Sequence, residues 1–418
     1  MLPEGWNTYQ LSELMTFRNG LNYTQVDSGE EIKVVGVADF QARSEIEDTA
    51  SLRCIKVKGQ VSNADLLESG DLLYVRSNGN KALIGRCLYF PKVEGRLSFS
   101  GFTIRGRVDS TKLNAESAAH LMRSPKVAVQ MHQGGTGTNI SNLSQEILNG
   151  IRVEIPSLAE QARIAKALRT WEAAVSIAEK LLANCMEQKK ALTVDLLLGR
   201  VRRIEHRTRS GRGNSPKDWR TVPLSEVAVE VSIKNSADDS LPVLSCTKHH
   251  GLVDSLSYFN KRVFSENTST YKLVPRGAFA YATNHIDEGS IGYQDLYDKA
   301  LISPMYTVFK TNEQMLHGFL YKLLKAEHYR QIFAANTNAS VDRRGSLRWG
   351  DFKKIEIPLP SLEEQAAIHE VLAVADQEVA QLVTQLDYLK REKRVLMNDL
   401  LTGKRRVKVS DELSSCTV

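Results

Sequence analysis

The chain contains one long segment twice, and this duplication limits the folds that it can adopt. Pro156-Ser157-Leu158 with Glu160-Gln161 recurs as Pro360-Ser361-Leu362 with Glu364-Gln365, at an offset of 204 residues. The same offset holds without a gap as far as the Asp-Leu-Leu-x-Gly endings at Asp195–Gly199 and Asp399–Gly403. An internal repeat of this length predicts two equivalent structural halves.

Each copy has the sequence signals of a single long helix. Ser157 and Ser361 both precede a glutamate by three residues, which is the spacing of a capping box. Gly199 and Gly403 stand where a helix would end. At about 1.5 Å per residue, each helix would be roughly 60 Å long.

Apolar residues between these signals recur at alternating spacings of four and three, which predicts the a/d seam of a coiled coil. The seam positions are Ile164, Leu168, Trp171, Val175, Ala178, Leu182, Cys185, Leu192 and Leu196, and in the second copy Ile368, Leu372, Ala375, Val379, Leu382, Leu386, Leu389, Leu396 and Leu400. Both copies place a lysine at the same seam position, Lys189 and Lys393, where a polar side chain can fix the register. We expect the two helices to pair with each other.

The repeat extends over the globular segments that precede the helices. Trp6-Asn7-Thr8 has a counterpart in Trp219-Arg220-Thr221, and Gly70–Tyr74 resembles Gly277–Tyr281. Ile84-Gly85 also resembles Ile291-Gly292. Short β-type runs separated by turns, and helical runs at Ala115–Met122 and Gln314–Phe333, predict an α+β domain in each half.

Composition narrows the class of protein. The length of 418 residues and the 42% hydrophobic content suit two or three globular domains with substantial cores. No apolar run is long enough to span a bilayer, and the chain does not begin with a basic segment followed by an apolar one, so we expect a cytoplasmic protein without a membrane partner. The five cysteines are scattered, which favours neither a disulfide framework nor a zinc site.

Positive charge is concentrated after each helix. The net charge of +6 is modest, but arginines cluster in the linker 200–214 and basic residues continue into the tail 404–418. Such runs can neutralise phosphates, although a solvated linker and tail explain them equally well.

Standard catalytic motifs are missing from the sequence. It has no G-x-S-x-G, H-E-x-x-H or P-loop motif and no methyltransferase motif of the Asn/Asp-Pro-Pro-Tyr/Phe type. Asp27 with Glu31 and Lys33 superficially resembles a nuclease metal site, but such short spacings often arise by chance. The adjacent His249 and His250 lack a partner at metal-ligand spacing and are interpreted as loop residues.

Polar loops follow equivalent predicted strands in the two halves. Arg76–Lys81 follows Leu72–Val75, and Thr283–Asp287 follows Ala278–Ala282. Taken singly, each loop is better explained as an ordinary polar turn. Side chains of these types also hydrogen-bond the edges of DNA bases, and their recurrence at the same place in both halves makes the two explanations equal. Two further polar loops precede the helices. The candidate DNA-binding residues are Arg76, Asn78, Asn80, Lys81, Gln133, Thr136, Thr138, Asn139, Thr283, Asn284, His285, Asn336, Asn338, Arg343, Arg344 and Arg348.

These features together resemble the specificity subunit of type I restriction-modification systems. The duplicated order of variable domain and long helix, the Pro-Ser-Leu-x-Glu-Gln helix starts and the Asp-Leu-Leu-x-Gly endings carry the resemblance. The runs Gly137–Leu143 and Arg344–Leu347 are similar to the ends of that family's target-recognition domains. The similarity covers nearly the whole chain.

The resemblance implies an α+β fold, in which two pseudo-symmetric α/β target-recognition domains are joined by two long helices forming an antiparallel coiled coil. Each domain would read one half of a bipartite, asymmetric target in the major groove of double-stranded DNA, and the helices would set the spacing. The implied segments are recognition domains at 1–150 and 215–355, long helices at 156–199 and 360–403, the linker 200–214 and a disordered tail 404–418.

The resemblance also implies the protein's partners. The chain would have no catalytic residues and would bind no metal or cofactor. It would dock two modification subunits, which methylate adenine using S-adenosylmethionine, and through them restriction subunits that use ATP and magnesium. We expect the docking surface on the outward faces of the helices, including Glu160, Gln161, Glu364 and Gln365.

Two alternatives remain at this point. The first is a non-enzymatic coiled-coil adaptor with two protein-binding domains, and the second is a nuclease that acts alone. A steep salt dependence of DNA binding would distinguish the specificity subunit from the adaptor. Metal-dependent cleavage by the isolated chain would identify a nuclease.

Overall fold

The computed structural model describes residues 3–23, 25–40, 43–133, 142–201, 218–235, 240–338 and 345–407. The chain divides into two compact units, the first formed by residues 1–179 with 384–418 and the second by residues 180–383. Each unit therefore combines one globular domain with one part of each long helix.

Nine strands and four α-helices begin in the described residues of the first unit, which also contains the end of the last long helix. Its strands are β1 (Asn7–Gln10), β2 (Met15–Asn19), β3 (Gln25–Val35), β4 (Cys54–Val57), β5 (Leu72–Val75), β6 (Cys87–Tyr89), β7 (Leu97–Phe99), β8 (Thr103–Val108) and β9 (Arg152–Ile155). Its helices are α1 (Ala115–Met122), α2 (Pro125–Gln133), α3 (Gln145–Gly150) and α4 (Leu158–Leu197), the last of which continues into the second unit.

The second unit repeats this plan. Its strands are β10 (Arg220–Pro223), β11 (Ala228–Glu230), β12 (Leu244–Thr247), β13 (Gly251–Asp254), β14 (Lys272–Pro275), β15 (Ala278–Ala282), β16 (Ile291–Tyr293), β17 (Lys299–Ile302), β18 (Tyr306–Thr311) and β19 (Glu356–Leu359). Its helices are α5 (Leu224–Val227), α6 (Ser255–Phe259), α7 (His317–Lys325), α8 (Glu327–Asn338), α9 (Trp349–Phe352) and α10 (Leu362–Leu401), which returns to the first unit.

A four-stranded antiparallel sheet forms the centre of each domain. The strand order is β2-β8-β5-β6 in the first domain and β11-β18-β15-β16 in the second. The remaining strands differ, since β3 pairs with β4 and β7 in one sheet, whereas the second domain has the separate pairs β12-β13 and β14-β17. Two-stranded pairs, β1-β9 and β10-β19, join the first and last strands of each domain.

One of the two inner strands of each central sheet, β5 or β15, is buried on both faces. In β5, Leu72 and Tyr74 point into a core shared with α1 and α2, whereas Leu73 and Val75 point into a second core on the opposite face. Side chains alternate between the faces of a strand, so a run that is apolar throughout is what a strand covered on both sides requires. The alternate side chains of β15 enter two cores in the same way.

The strand registers correct one sequence prediction, and the helix bounds correct another. Tyr74 lies opposite Cys87, and the equivalent Tyr281 lies opposite Ile291, so the match of Ile84-Gly85 to Ile291-Gly292 is wrong by three residues. Gly85, at a φ of 81°, lies in the turn before β6. The predicted helix over 314–333 is in fact two helices, because Ala326 adopts an extended conformation between α7 and α8.

The long helices run antiparallel, as the resemblance implied. In the first unit, Ile164 and Leu168 near the start of α4 share a core with Leu400 near the end of α10. In the second unit, Leu196 near the end of α4 lies in the same core as Ile368 near the start of α10. Gly199 and Gly403 have φ values of 67° and 69°, the left-handed conformation that ends helices and favours glycine.

The two seam lysines form equivalent ion pairs. Lys393 Nζ lies 2.8 Å from Glu172 Oε1 in the first unit, and Lys189 pairs with Asp376 in the second. The two carboxylates, like the two lysines, are 204 residues apart. Because displaced helices would leave these half-buried charges unpaired, both pairs favour one register.

The globular domain of the first unit adds a third group to the ion pair between Lys393 and Glu172. His120 of α1 lies with its Nδ1 3.8 Å from Glu172 Oε1. Burial lowers the pKa of His120 to about 4, even though the neighbouring Glu172 favours the protonated ring. The imidazole is therefore neutral at pH 7.

A buried glutamine joins each long helix to its domain. Gln161 Oε1 accepts from the Asn114 backbone N–H at 2.8 Å, and its Nε2 donates to the backbone oxygens of Lys112 and Pro156. Gln365 makes the same three bonds in the second unit, with the backbone of Leu316, Gln314 and Pro360. The start of α1 or α7 is thereby fixed to the start of a long helix.

The prediction that the helix starts present an outward docking surface is wrong. Glu160, Gln161, Glu364 and Gln365 are 6%, 1%, 2% and 0% exposed. Glu160 pairs through both oxygens with Arg406, at 2.6 and 2.8 Å, while Glu364 accepts from Trp219 Nε1 at 2.9 Å. The polar side chains are buried because the domain folds back over the first turn of each helix.

Replacing the buried glutamine should destabilise the second unit. Gln365→Leu leaves the Leu316 N–H and two backbone oxygens without their partner, and we expect it to lower the free energy of unfolding by about 2 to 4 kcal/mol. The matched control is Gln377→Leu, an exposed position on the same helix, with an expected change within about 0.5 kcal/mol. Urea unfolding measures both variants, and equal effects would contradict the role of Gln365.

Candidate nucleic-acid interface

Three segments meet beside the end of β5 in the first domain. The Arg76 N–H donates to Phe102 O at 2.8 Å, and the Leu143 N–H donates to Arg76 O at 2.8 Å. The loop after β5, the turn before β8 and the segment before α3 are thus held together by backbone hydrogen bonds. We call residues 76–81, 100–102 and 142–143 the first loop junction.

The second domain has the same arrangement. The Leu347 N–H donates to Thr283 O at 2.8 Å, which reproduces the bond between Leu143 and Arg76. The Thr283 hydroxyl donates to Met305 O at 3.2 Å. We call residues 283–288, 303–305 and 345–348 the second loop junction. The structure therefore places Arg76–Lys81 and Thr283–Asp287 at equivalent positions, as the repeat predicted.

The predicted residues of the first junction combine turn-forming and solvent-facing groups. Arg76 is half-buried, with Nη1 3.4 Å from Gly101 O. Asn78 and Asn80 are exposed, and their side-chain oxygens accept from backbone N–H groups two residues ahead. Lys81 is exposed on the 3₁₀ turn that Asn80 caps, whereas Gln133 is exposed at the end of α2.

The second junction presents a different set of groups. Asn284 is half-buried, and exposed His285 lies with Nδ1 3.3 Å from Glu288 Oε1. Asn336 is exposed on α8, where its Nδ2 donates to Ile332 O. Arg348 is exposed at the start of α9. The sites proposed at Thr136, Thr138, Asn139, Arg343 and Arg344, and the side chain of Asn338, lie outside the described residues.

A groove of about 840 Å³ lies beside the first junction. Its lining includes Asn22, Tyr23, Arg53, Asn78 and Phe102, so aromatic rings and hydrogen-bonding groups face the same space. Asp39 also lines the groove, but its carboxylate is used to accept from the Gly36 N–H at 2.8 Å. The groove offers donors, a cation and apolar surface, which is the mixture that base edges and phosphates require.

Several of these groups were not found from the sequence. Tyr23 and Arg53 lie in the stretch between β2 and β5, where the two halves no longer resemble each other. Phe102 and Met305 occupy the same position in equivalent turns, at an offset of 203 residues. In the sequence, the only sign of this equivalence is that Ser100-x-Phe102 matches Ser303-x-Met305 in its serine and in an apolar residue two positions later. A match of that length is too short to be distinguished from chance.

The described residues provide no support for a nuclease centre. The Lys33 ammonium donates to Thr49 O at 2.9 Å and so supports a turn. Within the described ranges, no cluster of three or more His, Cys, Asp and Glu residues could hold a metal ion. Burial raises the pKa of the Cys87 and Cys246 thiols to about 12, which removes the thiolate needed by a nucleophile.

Only part of the basic segments lies within the described residues. The linker beyond residue 201 and the tail beyond residue 407 lie outside the described residues. Arg406, which was grouped with the basic tail, is bound to Glu160 and to Glu4 O instead. Across the described part of the chain, no helix combines the length and apolar character needed to cross a bilayer.

Comparison with known proteins identifies relatives over the whole chain. A family model described as the type I restriction modification DNA specificity domain matches residues 3–184 and 216–388. The type I restriction enzyme MjaVIII specificity subunit of Methanocaldococcus jannaschii is 24% identical over 437 residues, covering 97% of this chain and 94% of that protein. The StySPI specificity subunit of Salmonella potsdam is 26% identical over 56% of this chain and 47% of its own length.

Solved structures share the fold. The HsdS subunit from Thermoanaerobacter tengcongensis superimposes with a TM-score of 0.55 and 18% identity, over 97% of this chain and 98% of that one. The type I restriction-modification S subunit from M. genitalium gives a TM-score of 0.53 and 13% identity over 97% of each chain. At these identities the likeness concerns the fold alone.

The close backbone approach at Gly20 should be essential to the first junction. A Cβ at Gly20 would overlap the backbone oxygen of Ser100, so Gly20→Ala must displace the turn. A cost of about 1 to 3 kcal/mol predicts roughly 5- to 150-fold faster amide exchange at Arg76 and Gly101, whose N–H groups hold that turn. Gly79→Ala, which meets open space, is the control. Unchanged exchange in Gly20→Ala would show that the junction does not depend on this contact.

Proposed function

Because the chain belongs to the family of type I restriction modification DNA specificity domains, of which it carries two, we propose that each domain reads one half of a bipartite, asymmetric DNA target. The chain is the specificity subunit, the non-catalytic component of a type I restriction-modification complex. The observation that supports the proposal most directly is the pair of equivalent loop junctions, which present different side chains on the same backbone arrangement.

Different side chains on one framework suit two unlike half-sites. Where the first domain has Arg76, Asn78 and Lys81, the second has Thr283, Asn284 and His285. Arginine pairs with guanine and asparagine with adenine through two hydrogen bonds each, so a change of side chain changes the base that is read. Each such contact discriminates by about 1 to 3 kcal/mol.

Phosphate contacts and base contacts have separate tasks in this proposal. Exposed Lys81 at the rim of the first junction, and basic residues of the linker, would neutralise phosphates and position the domain. Asn78 and Asn80 use their side-chain oxygens within the turn, and their amide NH₂ groups would donate to acceptors on base edges.

The long helices would set the distance between the half-sites. The repeated segment contains no insertion, and each unit has an ion pair that fixes the register of α4 against α10. A fixed register gives a fixed spacer in the target.

We place the docking surface for two methyltransferase subunits on the exposed apolar side chains of the helices rather than on the buried glutamate and glutamine residues. These side chains lie outside the seam: Ile177, Tyr388 and Val395 in the first unit, and Leu181, Met186, Val374 and Val383 in the second. Apolar groups that remain exposed on a helix favour a protein partner. S-adenosylmethionine, ATP and magnesium would bind to the methyltransferase and restriction subunits of the complex, and the complex would act in the cytoplasm.

Exchanging one domain should change one half of the target. We expect that replacing residues 215–355 with the matching segment of another family member alters a single half-site in the methylation pattern of host DNA. The spacer should stay the same. If both half-sites change together, one domain does not read one half.

The complex should also bind DNA with a steep negative salt dependence, and a flat dependence would favour the adaptor alternative.

A charge on the exposed helix face should prevent docking. Val374→Glu buries a carboxylate against the methyltransferase subunit, and we expect at least tenfold weaker copurification of that subunit. Gln377→Glu introduces the same charge on the same exposed helix stretch and should have little effect if the apolar surface is what binds. If the Val374→Glu variant assembles normally, Val374 is not part of the docking surface.

A further inference from the structure

Each loop junction carries one large apolar side chain at the tip of a turn. Phe102 precedes β8 and is 63% exposed, and Met305 precedes β18 and is 64% exposed. Both neighbouring strands are otherwise lined by buried side chains on their core faces. Two exposed apolar residues at the same position of a divergent repeat point to a shared use rather than to chance.

The turn in the first domain holds Phe102 in a fixed position. The Ser100 hydroxyl oxygen accepts from the Phe102 N–H at 3.3 Å, and the Thr103 hydroxyl donates back to Ser100 O at 2.7 Å. The Gly101 N–H donates to Leu21 O at 2.7 Å, and Phe102 O accepts from the Arg76 N–H. Since the backbone on both sides is bonded, the ring is presented with little conformational freedom to lose on binding.

The turn in the second domain has the same design. The Ser303 hydroxyl oxygen accepts from the Met305 N–H at 3.5 Å, and the Tyr306 N–H donates to Ser303 O at 3.1 Å. Met305 O accepts from the Thr283 hydroxyl, so the tip is tied to the candidate recognition loop here as well. The serine and the apolar residue two positions later recur, although the surrounding sequences differ.

The surroundings of these side chains restrict what they can contact. Phe102 lines the same groove as Asn78 and Arg53, so it stands among hydrogen-bonding groups. In the major groove of DNA, hydrogen-bonding edges are interrupted by one apolar feature, the C5-methyl group of thymine. An apolar side chain placed among base-reading groups has that methyl group as its complementary surface.

We propose that Phe102 and Met305 are specificity residues, each of which contacts a thymine methyl group in its own half-site. This inference rests on the proposed function, since it requires that the junctions face DNA bases. Phenylalanine and methionine provide apolar contact without a hydrogen bond, so they distinguish thymine from cytosine by the methyl group alone. The contact supplements the hydrogen bonds made by the loop after β5 or β15.

The test uses the assembled complex and its own target, read from the methylation pattern of host DNA. Synthetic duplexes carry deoxyuridine in place of thymidine at one position at a time, which removes only the methyl group. We expect wild-type affinity to fall about three- to tenfold at one position in each half-site, as burial of a methyl group predicts. Phe102→Ala should abolish that effect in one half-site and Met305→Ala in the other.

Control variants separate this contact from a folding defect. Phe102→Leu should keep the sensitivity to deoxyuridine, and Val129→Ala, at an exposed apolar residue on α2, should leave it unchanged. Equal losses for Phe102→Ala on thymidine and deoxyuridine duplexes would overturn the proposal in favour of a wedge between base pairs. A half-site without an A·T pair would also overturn it. Failure of the wild-type complex to bind any specific duplex would instead contradict the proposed function.

Discussion

The buried glutamine at the start of each long helix is the interaction on which the arrangement of each unit depends. Gln161 and Gln365 each bond to three backbone groups, two from the recognition domain and one from the proline at the start of the helix. A leucine of similar volume would fill the space but leave those groups unpaired, at a cost that hydrophobic burial does not repay. The orientation of the loop junction relative to its helix start follows from these bonds.

Much of the fold was predictable, because its signals are periodic or repeated. The offset of 204 residues, the seam and the terminal glycines identified both helices, and runs of apolar residues identified β5 and β15. The misjudged features depend on tertiary contacts. Glu160 and Gln161 lie beside the seam and look solvent-facing on a helix considered alone, and only the domain folded over them makes them buried. The break at Ala326 carries neither proline nor glycine.

The position of the two loop junctions was predictable from the sequence, but the full set of side chains gathered there was not. The loops after β5 and β15 were found because a polar run following an apolar strand is a local signal. Phe102 and Met305 were missed because an exposed apolar residue next to a strand looks the same in sequence as a buried one. Tyr23 and Arg53 reach the groove through a part of the first domain whose strand pairing differs from that of the second. The strand topology brings these two residues to the groove, and no local sequence pattern predicts their position there.

The bonds between Leu143 and Arg76, and between Leu347 and Thr283, use only backbone atoms. The chain can therefore exchange the side chains at positions 76 and 283 without losing these two backbone bonds, whereas the side-chain bonds of Arg76 to Gly101 O and of Thr283 to Met305 O change with the residue. An arginine and a threonine already occupy this place within one molecule. A change of side chain at these positions therefore leaves the backbone connection between the loops in place. In a specificity subunit, such a framework tolerates substitution at a candidate base-reading position, which is a form of mutational robustness.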